Sequence, residues 1–287
     1  MYIGLSKKVY DKKVNWEVLK AERPETIVYK AFGGRELKLY VFRPQERNAP
    51  FPAVLFYHGG GWERESPARL FPHAAYAALR GAVGICAEYR LMDNETLSIR
   101  DCIRDCFDAA LYMIKHAEEL GIDRNRLISF GDSAGAYLAA VLGCAKIAGR
   151  FTGVYKPLVA HTVFLNGIAD LTGKWSCALF KGGITGGPDD DGRREKLAEA
   201  RALSPLFNIS AGDAGTLIYH GQNDSVTEQY TAEEYYCALS EAGVNVELTL
   251  LPETKHAFIL PDLYHPNEYC ADILEKIFNR LTLFNTI

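Results

Sequence analysis

A pentapeptide near the middle of the chain has the spacing expected around an activated serine. The sequence GDSAG occupies residues 131–135, directly after the apolar run LISF and directly before a segment of helical composition. A serine on a sharp turn between a strand and a helix needs small neighbours, because side chains two positions away would collide with adjoining strands. The helix N-terminus that follows favours developing negative charge. The pattern predicts that Ser133 is a nucleophile, and the alternative is a chance occurrence of the motif.

A serine hydroxyl needs a base, and the base needs a carboxylate to orient it. Among seven histidines, His256 is the best placed, because ETKHAF falls between the last predicted strand and the last predicted helix. Asp224 follows a predicted strand by a few residues and is the preferred carboxylate, with Asp170 and Asp262 as rivals. The chain order nucleophile, acid, histidine is a recurrent order of catalytic triads. Five other histidines are not proposed as the base, because their positions in strands, helices or other loops suit structural, packing or surface roles. They are His73, His116, His161, His220 and His265.

Three consecutive glycines, in the sequence HGGGW, follow another apolar run. An acyl carbonyl under attack by a serine develops negative charge on its oxygen, which needs N–H donors at about 2.7–3.1 Å. A loop without Cβ atoms lets the backbone approach that oxygen closely. We therefore predict Gly60 and Gly61 as donors, together with Ala134 after the nucleophile, and His58 as a brace for the loop. The alternative is a glycine-rich turn without a role.

Eight segments have the composition of strands, and Ser133, Asp224 and His256 each lie just past the carboxyl end of one. The first two surround GGRE and predict a hairpin. The later ones are apolar runs typical of strands buried on both faces, and they alternate with helical patterns. This order predicts an α/β fold with a mostly parallel sheet and helices on both faces. The predicted strands are residues 26–32, 37–43, 52–58, 83–89, 126–132, 158–167, 216–221 and 244–251.

The helices are predicted from caps and periodicity. One begins at Ser66 and Pro67, with Pro72 either in its first turns or breaking it. The others are predicted over residues 98–121, directly after Ser133, near 227–242 and over the EYCADILEKIFNRLTLF segment. No linker divides the chain, so residues 1–287 are interpreted as one domain. Residues 168–214 are a long connection, which we interpret as a small cap-like insertion over the site.

Composition excludes several classes of protein. The 287 residues carry a formal net charge of −4 with the signs interspersed, so nucleic acid is not an expected partner. Neither a targeting segment nor a membrane span is recognisable, which favours a cytoplasmic protein. The seven cysteines, an odd number without a C-x-x-C pair, predict buried free thiols. No metal or cofactor is expected, because Cys102 and Cys106 at helical spacing lack histidine or carboxylate partners in the sequence, and the acidic PDDDG stretch is typical of a solvated turn.

Five motifs in this order, HGGGW, AEYRL, GDSAG, HGQND and KHAF, resemble the hormone-sensitive-lipase branch of the α/β-hydrolases. The likeness extends over roughly residues 25–285 and is greatest to small bacterial acetyl esterases and carbohydrate esterases. It implies the α/β-hydrolase fold, no cofactor and hydrolysis of carboxylic esters through an acyl-enzyme. Ser133, Asp224, His256, Gly60 and Gly61 occupy the corresponding motif positions.

The resemblance implies a serine carboxylesterase for short, acetyl-type esters of a small alcohol or a carbohydrate. An amidase of the formamidase kind and a feruloyl-type esterase are the alternatives; a non-enzymatic receptor would be expected to lack part of the triad. Four rings are predicted to border a short acyl pocket, and a homo-oligomer is compatible with the sequence. The rings are those of Trp62, Tyr137, Trp175 and Phe258.

Overall fold

The computed structural model of the protein describes residues 15–45, 50–93, 97–187, 189–261 and 263–283. Eight strands form one sheet in the order β1-β2-β4-β3-β5-β6-β7-β8. The strand β1 pairs antiparallel with β2, which pairs antiparallel with β4, and all later pairings are parallel. Their bounds are β1 Glu25–Phe32, β2 Arg35–Phe42, β3 Phe51–Tyr57, β4 Val83–Ala87, β5 Ile122–Asp132, β6 His161–Leu165, β7 Gly215–Gly221 and β8 Val246–Leu251.

Nine α-helices accompany this sheet in the described ranges. The sequence prediction of an α/β fold with a mostly parallel eight-stranded sheet is confirmed. The β1–β2 hairpin turns on Gly33 and Gly34, both with positive φ, as its GG pair predicted. The helices are α1 Trp16–Ala21, α2 Phe71–Leu79, α3 Ile99–Lys115, α4 Ala117–Leu120, α5 Ala134–Gly143, α6 Ala145–Thr152, α7 Asp191–Leu203, α8 Gln229–Glu241 and α9 Asn267–Leu283.

Alternating side chains of the central strands enter different core clusters. In β3, Ala53, Leu55 and Tyr57 belong to a cluster with α3, α5 and α6, whereas Val54 and Phe56 belong to a cluster with α1, α2 and α9. Because successive strand residues point to opposite faces of a sheet, these two sets of helices cover opposite faces. The central strands β3, β4, β6 and β7 are thus buried on both sides, which explains why they are continuous apolar runs.

Three predicted helices are broken in the structure. The first is preceded by a 3-10 turn, Pro67–Leu70, and Pro72 lies in the first turn of α2, where its missing N–H breaks no helical hydrogen bond. The segment predicted as one helix over 98–121 divides into α3 and α4. The helix after Ser133 ends at Gly143, because Cys144 adopts an extended conformation, and the amides of Leu158 and Ala214 donate to the carbonyls of the last turn.

The connection between β6 and β7 contains short helical pieces. They are the 3-10 turn Lys174–Ala178, α7 and the 3-10 turn Pro205–Phe207. The acidic stretch at its centre begins α7, where the Asp190 carboxylate accepts the Arg193 amide at 2.9 Å. This is helix capping, which occupies an oxygen that a calcium site would need. In the described ranges, no group of side chains is arranged to hold a metal ion, and no helix has the length and hydropathy needed to cross a bilayer.

All seven cysteines are free thiols. Five of them are buried, as the apolar runs around them predicted. Cys102 and Cys106 donate hydrogen bonds to backbone carbonyls at 3.1 and 3.2 Å, which is the role of small core residues. The prediction of burial is wrong for Cys177 and Cys237, which are exposed.

His73 makes the stability of the fold depend on pH. Its Nε2–H donates to the Ile259 carbonyl at 3.0 Å, and its buried Nδ1 has no hydrogen-bond partner among the described residues. Burial lowers the pKa of His73 to about 4. The unfolded chain takes up this proton below about pH 6.5, so the folded state binds fewer protons between pH 6.5 and 4, and stability decreases as the pH falls through that window.

We expect the free energy of unfolding to fall by about 2 kcal/mol between pH 7 and pH 5 from His73 alone. Urea titrations at several pH values measure this slope. His73→Phe keeps a ring at this position, and it is expected to show a shallower slope. Some slope remains, because burial also lowers the pKa of His58 to about 4. A slope equal to that of the wild type in the phenylalanine variant would contradict the assignment.

Candidate active site

The turn between β5 and α5 holds Ser133 in a conformation that non-glycine residues rarely adopt. Its φ is 55° and its ψ is −120°, and its amide donates to the Leu165 carbonyl of the neighbouring strand at 2.9 Å. A Cβ on Gly131 would lie 2.1 Å from the carbonyl oxygen of Gly135, and one on Gly135 would lie 2.0 Å from that of Tyr57. The motif glycines are therefore required by close backbone packing, and the strain at the serine is held by its surroundings.

Three side chains from three different loops form one chain of hydrogen bonds. Ser133 Oγ lies 2.9 Å from His256 Nε2, and His256 Nδ1 lies 2.7 Å from Asp224 Oδ2. The loops after β7 and β8 that carry the acid and the histidine are joined directly, since the Asn223 amide donates to the Thr254 carbonyl at 2.9 Å. All three residues follow the carboxyl ends of parallel strands, where open α/β sheets place their sites.

The carboxylate of Asp224 is held by more than the histidine. Its Oδ1 accepts the amides of Val226 and Thr227 at 2.8 and 2.9 Å, and its Oδ2 accepts the Thr227 hydroxyl at 2.9 Å. Burial acts to raise the pKa of Asp224, but the hydrogen bond and charge of His256 and these two amides outweigh it and lower the pKa. The group thus stays ionised and fixed in orientation.

Of the two rival aspartates, Asp170 is the one within the described residues, and it does not replace Asp224. Asp170 accepts the amide and hydroxyl of Thr172 at 2.6 and 2.9 Å and is engaged in its own turn. Asp262 lies outside the described residues. His220 is fully buried at the end of β7, and its Nε2–H donates to the Thr227 carbonyl at 2.8 Å, so it supports the acid loop as a structural residue.

The glycine loop after β3 lies against the serine turn. In the described parts of the chain, the backbone amides of Gly60, Gly61 and Ala134 donate no hydrogen bond, so these donors are available to a ligand. His58 braces the loop, because its Nδ1–H donates to the Gly59 carbonyl at 2.7 Å. Burial lowers the pKa of His58 to about 4, which keeps the imidazole neutral.

The reason for the three glycines differs from the sequence prediction, which attributed all of them to approach by the substrate. A Cβ on Gly59 would lie 2.8 Å from the Asp132 carbonyl oxygen and 3.0 Å from Ser133 Cβ, and one on Gly60 would lie 2.3 Å from the Arg64 carbonyl oxygen. Gly61 has open space around the same position, and its requirement is the φ of 65°. Contact with the serine turn and loop curvature thus account for the motif.

Comparison with known proteins assigns the chain to a family. A family model described as BD-FAE matches residues 39–239. The chain belongs to the BD-FAE family. Thermogutta terrifontis esterase Est2, solved with butyrate bound, is similar to this BD-FAE family member, with a TM-score of 0.78 and 26% identity over 96% of this chain and 99% of that chain.

Curated relatives of this BD-FAE family member include two hydrolases. Kynurenine formamidase of Danio rerio is 25% identical over 255 residues, which is 85% of this chain and 78% of the relative. Arylesterase of Saccharolobus solfataricus is 25% identical over 238 residues, which is 78% of this chain and 73% of the relative. Fold and relatives together identify the BD-FAE family member as an α/β-hydrolase and a serine-type carboxylic ester hydrolase.

Three of the four rings predicted to border the acyl pocket are core residues in this BD-FAE family member. Phe258 is fully buried in the cluster with α2 and α9, on the face of the sheet opposite Trp62 and Tyr137. Trp62 is 1% exposed and its Nε1–H donates to the Ala134 carbonyl at 2.9 Å. Tyr137 is fully buried and donates to the Leu203 carbonyl at 2.9 Å. The ring of Trp175 is half-buried and contacts Trp62 edge-on, with centroids 6.2 Å apart.

Two supporting residues were not found from the sequence. Tyr89 stacks on the His58 ring, and its hydroxyl donates to the His58 carbonyl at 2.8 Å; the AEYRL motif marked it, although no role was assigned. The Asn166 side-chain amide donates to Asp132 Oδ1 at 2.9 Å, and the Asn166 backbone carbonyl lies 3.1 Å from the Thr227 hydroxyl oxygen. Asn166 thereby joins the serine turn to the acid loop, and nothing in the sequence around it indicated this.

Proposed function

We propose that Ser133, His256 and Asp224 are the catalytic residues of an esterase that acts on short acyl esters through an acyl-enzyme. The observation that carries this proposal is the chain of hydrogen bonds, 2.9 Å from Ser133 Oγ to His256 and 2.7 Å from His256 to Asp224. These distances lie within the range needed for proton transfer from a nucleophile to its base.

In the first half-reaction Ser133 Oγ attacks the ester carbonyl carbon, and its proton passes to His256 Nε2. The carbonyl oxygen becomes an oxyanion, which accepts hydrogen bonds from the amides of Gly60, Gly61 and Ala134. Asp224 stabilises the imidazolium and holds its ring. The imidazolium then gives its proton to the leaving alkoxide as the C–O bond breaks, and the acyl-enzyme and the free alcohol result.

In the second half-reaction water attacks the acyl carbon while His256 takes a proton from it. The second oxyanion collapses, the bond to Ser133 Oγ breaks, and His256 returns the proton to that oxygen. The products are the carboxylic acid and the starting enzyme. Every proton moves through His256, which is why one base between the nucleophile and the acid is sufficient.

We also propose that residues 168–214 act as a small cap on a single domain formed by the whole chain. Trp175 contacts Trp62, which follows the glycine loop, and Lys174 Nζ donates to the Val226 carbonyl of the acid loop at 2.6 Å. The insertion thus touches two of the loops that converge on Ser133. It is short for a lid that would shelter a long lipid chain.

A short acyl pocket is supported by the cap and by the relatives. Est2 has been solved with propionate and with butyrate bound. In the present chain Trp175 is the predicted ring that keeps part of its surface outside the core. We propose that it limits the acyl length to about butyryl, with an acetylated small alcohol or carbohydrate, such as a xylo-oligosaccharide, as substrate.

We also propose a cytoplasmic location, because the seven free thiols favour a reducing compartment.

The specificity constant kcat/KM for nitrophenyl esters is expected to be highest from acetyl to butyryl and to decline beyond. Each extra methylene gains ~0.8 kcal/mol in an open apolar pocket but loses ~1–3 kcal/mol where the pocket is full. Trp175→Ala is expected to shift the optimum to longer chains, whereas Phe207→Ala, which removes an exposed ring from the same insertion, leaves it unchanged. A steady rise of kcat/KM beyond hexanoyl in the wild type would reject the short pocket.

A formamidase activity is the second candidate. The Danio rerio relative, kynurenine formamidase, matches 85% of this chain. A formyl group is the smallest acyl group and fits any pocket that accepts acetyl, and an amine leaving group is protonated by His256 in the same way as an alcohol. Formanilide tested beside phenyl acetate separates the two, because an esterase favours the acetate and a formamidase favours the formanilide.

A further inference from the structure

Two neighbouring clefts on the surface of the protein are rich in arginine. The first, of about 570 Å³, lies between α6, α7 and the turn after α7, and the second, of about 580 Å³, lies between α3, α6 and α7. They share Arg150 and Ala202, and we refer to both together as the arginine cleft. Each has the volume typical of a small-molecule site. Its charged residues are Arg100, Arg104, Arg150, Arg194, Arg201, Asp108 and Glu199.

The carboxylates in and beside the arginine cleft are paired with cations other than Arg104, Arg150 and Arg201. Glu199 binds Arg100, Asp191 binds Arg194, and Asp108 binds Lys30 at 2.6 Å. In the described parts of the chain, no carboxylate lies within ion-pair distance of the remaining three arginines, Arg104, Arg150 and Arg201. Three uncompensated positive charges therefore lie together on a chain whose net charge is −4.

Arg150, which both clefts share, is preorganised. Its Nη1 donates to the Ala202 carbonyl and to Asn208 Oδ1, each at 2.7 Å. The Asn208 amide is itself fixed, since its Nδ2 donates to the Arg201 and Ser204 carbonyls at 2.7 Å. The remaining guanidinium N–H groups of Arg150 are therefore held in one direction. Because the side chain is already ordered, an anion that binds to it incurs a smaller loss of side-chain entropy. This geometry suits two oxygens of one anionic group.

Apolar groups line the same cleft beside the charges. Phe207 is 43% exposed, and the guanidinium of Arg201 lies over its ring at 5.4 Å. Leu197 lines the same wall. Bare phosphate ions would not use such a surface, whereas a ligand that carries an apolar body next to its charged head would cover both the ring and the arginines.

We propose that the arginine cleft binds an organic phosphate, with the phosphoryl oxygens against Arg150 and Arg201 and the apolar body on Phe207. This site is separate from Ser133 and does not depend on the esterase proposal. A phosphate dianion neutralises two of the three free charges, and the guanidinium fork matches its oxygens in pairs.

Phenyl phosphate is the probe, titrated into the full chain by isothermal titration calorimetry at low ionic strength. The wild type is expected to bind it saturably. Arg201→Gln weakens binding about tenfold, as expected for the loss of a charged hydrogen bond. Arg35→Gln, a matched change at an exposed arginine of the β1–β2 hairpin, leaves it unchanged. Arg150→Gln, at the other arginine that contacts the phosphoryl group, is expected to weaken binding to a similar extent and provides a second variant should Arg201→Gln fold poorly.

Inorganic phosphate separates the two parts of the proposal. Phe207→Ala is expected to weaken phenyl phosphate and to leave inorganic phosphate unchanged. Inorganic phosphate binding as tightly as phenyl phosphate would overturn the apolar part of the site. Absence of saturable binding to the wild type, or equal affinity in the Arg201→Gln and Arg35→Gln variants, would overturn the site itself. A far-ultraviolet circular dichroism spectrum and a thermal unfolding midpoint equal to those of the wild type show that the Arg201→Gln variant is folded.

Discussion

Replacing Ser133 by alanine is expected to lower kcat for every ester by about 10⁴–10⁶, while the protein remains folded. The substitution removes the oxygen that lies 2.9 Å from His256 Nε2 and leaves no nucleophile in its place. The backbone is retained, because the amide of residue 133 still donates to the Leu165 carbonyl. Initial rates with nitrophenyl acetate, measured beside the thermal unfolding midpoint, test this expectation.

Ser240→Ala is the matched control for this substitution, since Ser240 is exposed on α8. It should have the kcat of the wild type. If the activity of the Ser133 variant is far below that of the wild type and its unfolding midpoint is unchanged, the result supports Ser133 as the nucleophile. Near-wild-type turnover of all esters by the Ser133 variant would show that another group attacks the carbonyl.

Asp224→Asn is expected to lower kcat by about 10⁴. The amides of Val226 and Thr227 donate to Oδ1, so the carboxamide must place its oxygen there and its NH₂ toward His256. An NH₂ facing Nδ1 forces the imidazole tautomer whose hydrogen is on Nε2. That hydrogen points at Ser133, and the ring cannot accept the serine proton.

The comparison with Asp170→Asn makes this prediction specific. Asp170 is engaged with Thr172, so its change to asparagine should leave kcat near that of the wild type. Steady-state kinetics of both variants at neutral pH provide the measurement. An inactive Asp170 variant together with an active Asp224 variant would transfer the role of orienting the histidine to the other carboxylate.

The central strands could be predicted from the sequence because burial on both faces leaves continuous apolar runs, and the first two because a glycine pair separates them. Each of the eight predicted segments contains or overlaps one observed strand. The start of α3 after Ser98 and the end of α4 before Gly121 agree with the sequence prediction, but the interruptions at His116 and Cys144 were not predicted. At Cys144 the backbone is extended, and the Leu158 and Ala214 amides, which are distant in sequence, donate to the last two carbonyls of α5.

For the candidate site, chain order was informative and sequence proximity was misleading. The expected contact between Asp224 and His256 is present, since the carboxyl ends of parallel strands share one edge of the sheet. Phe258 is two residues from His256 but packs in the core cluster with α2 and α9, on the face of the sheet opposite Trp62 and Tyr137. Ala257, between them, has a φ of 56° and turns the chain. Asn166 was not predicted, because its role exists only when three loops meet.

The indole of Trp62 has a consequence for how the site responds to heat. The indole Nε1–H donates to the Ala134 carbonyl at 2.9 Å, and the backbone carbonyl of Trp62 accepts the Met92 amide at 2.8 Å. The glycine loop is thereby tethered to the first turn of the helix that begins at the nucleophile. We therefore expect thermal fluctuations to displace the glycine loop and the serine turn together, so that the spacing between the Gly60 and Gly61 amides and Ser133 is retained as the temperature rises.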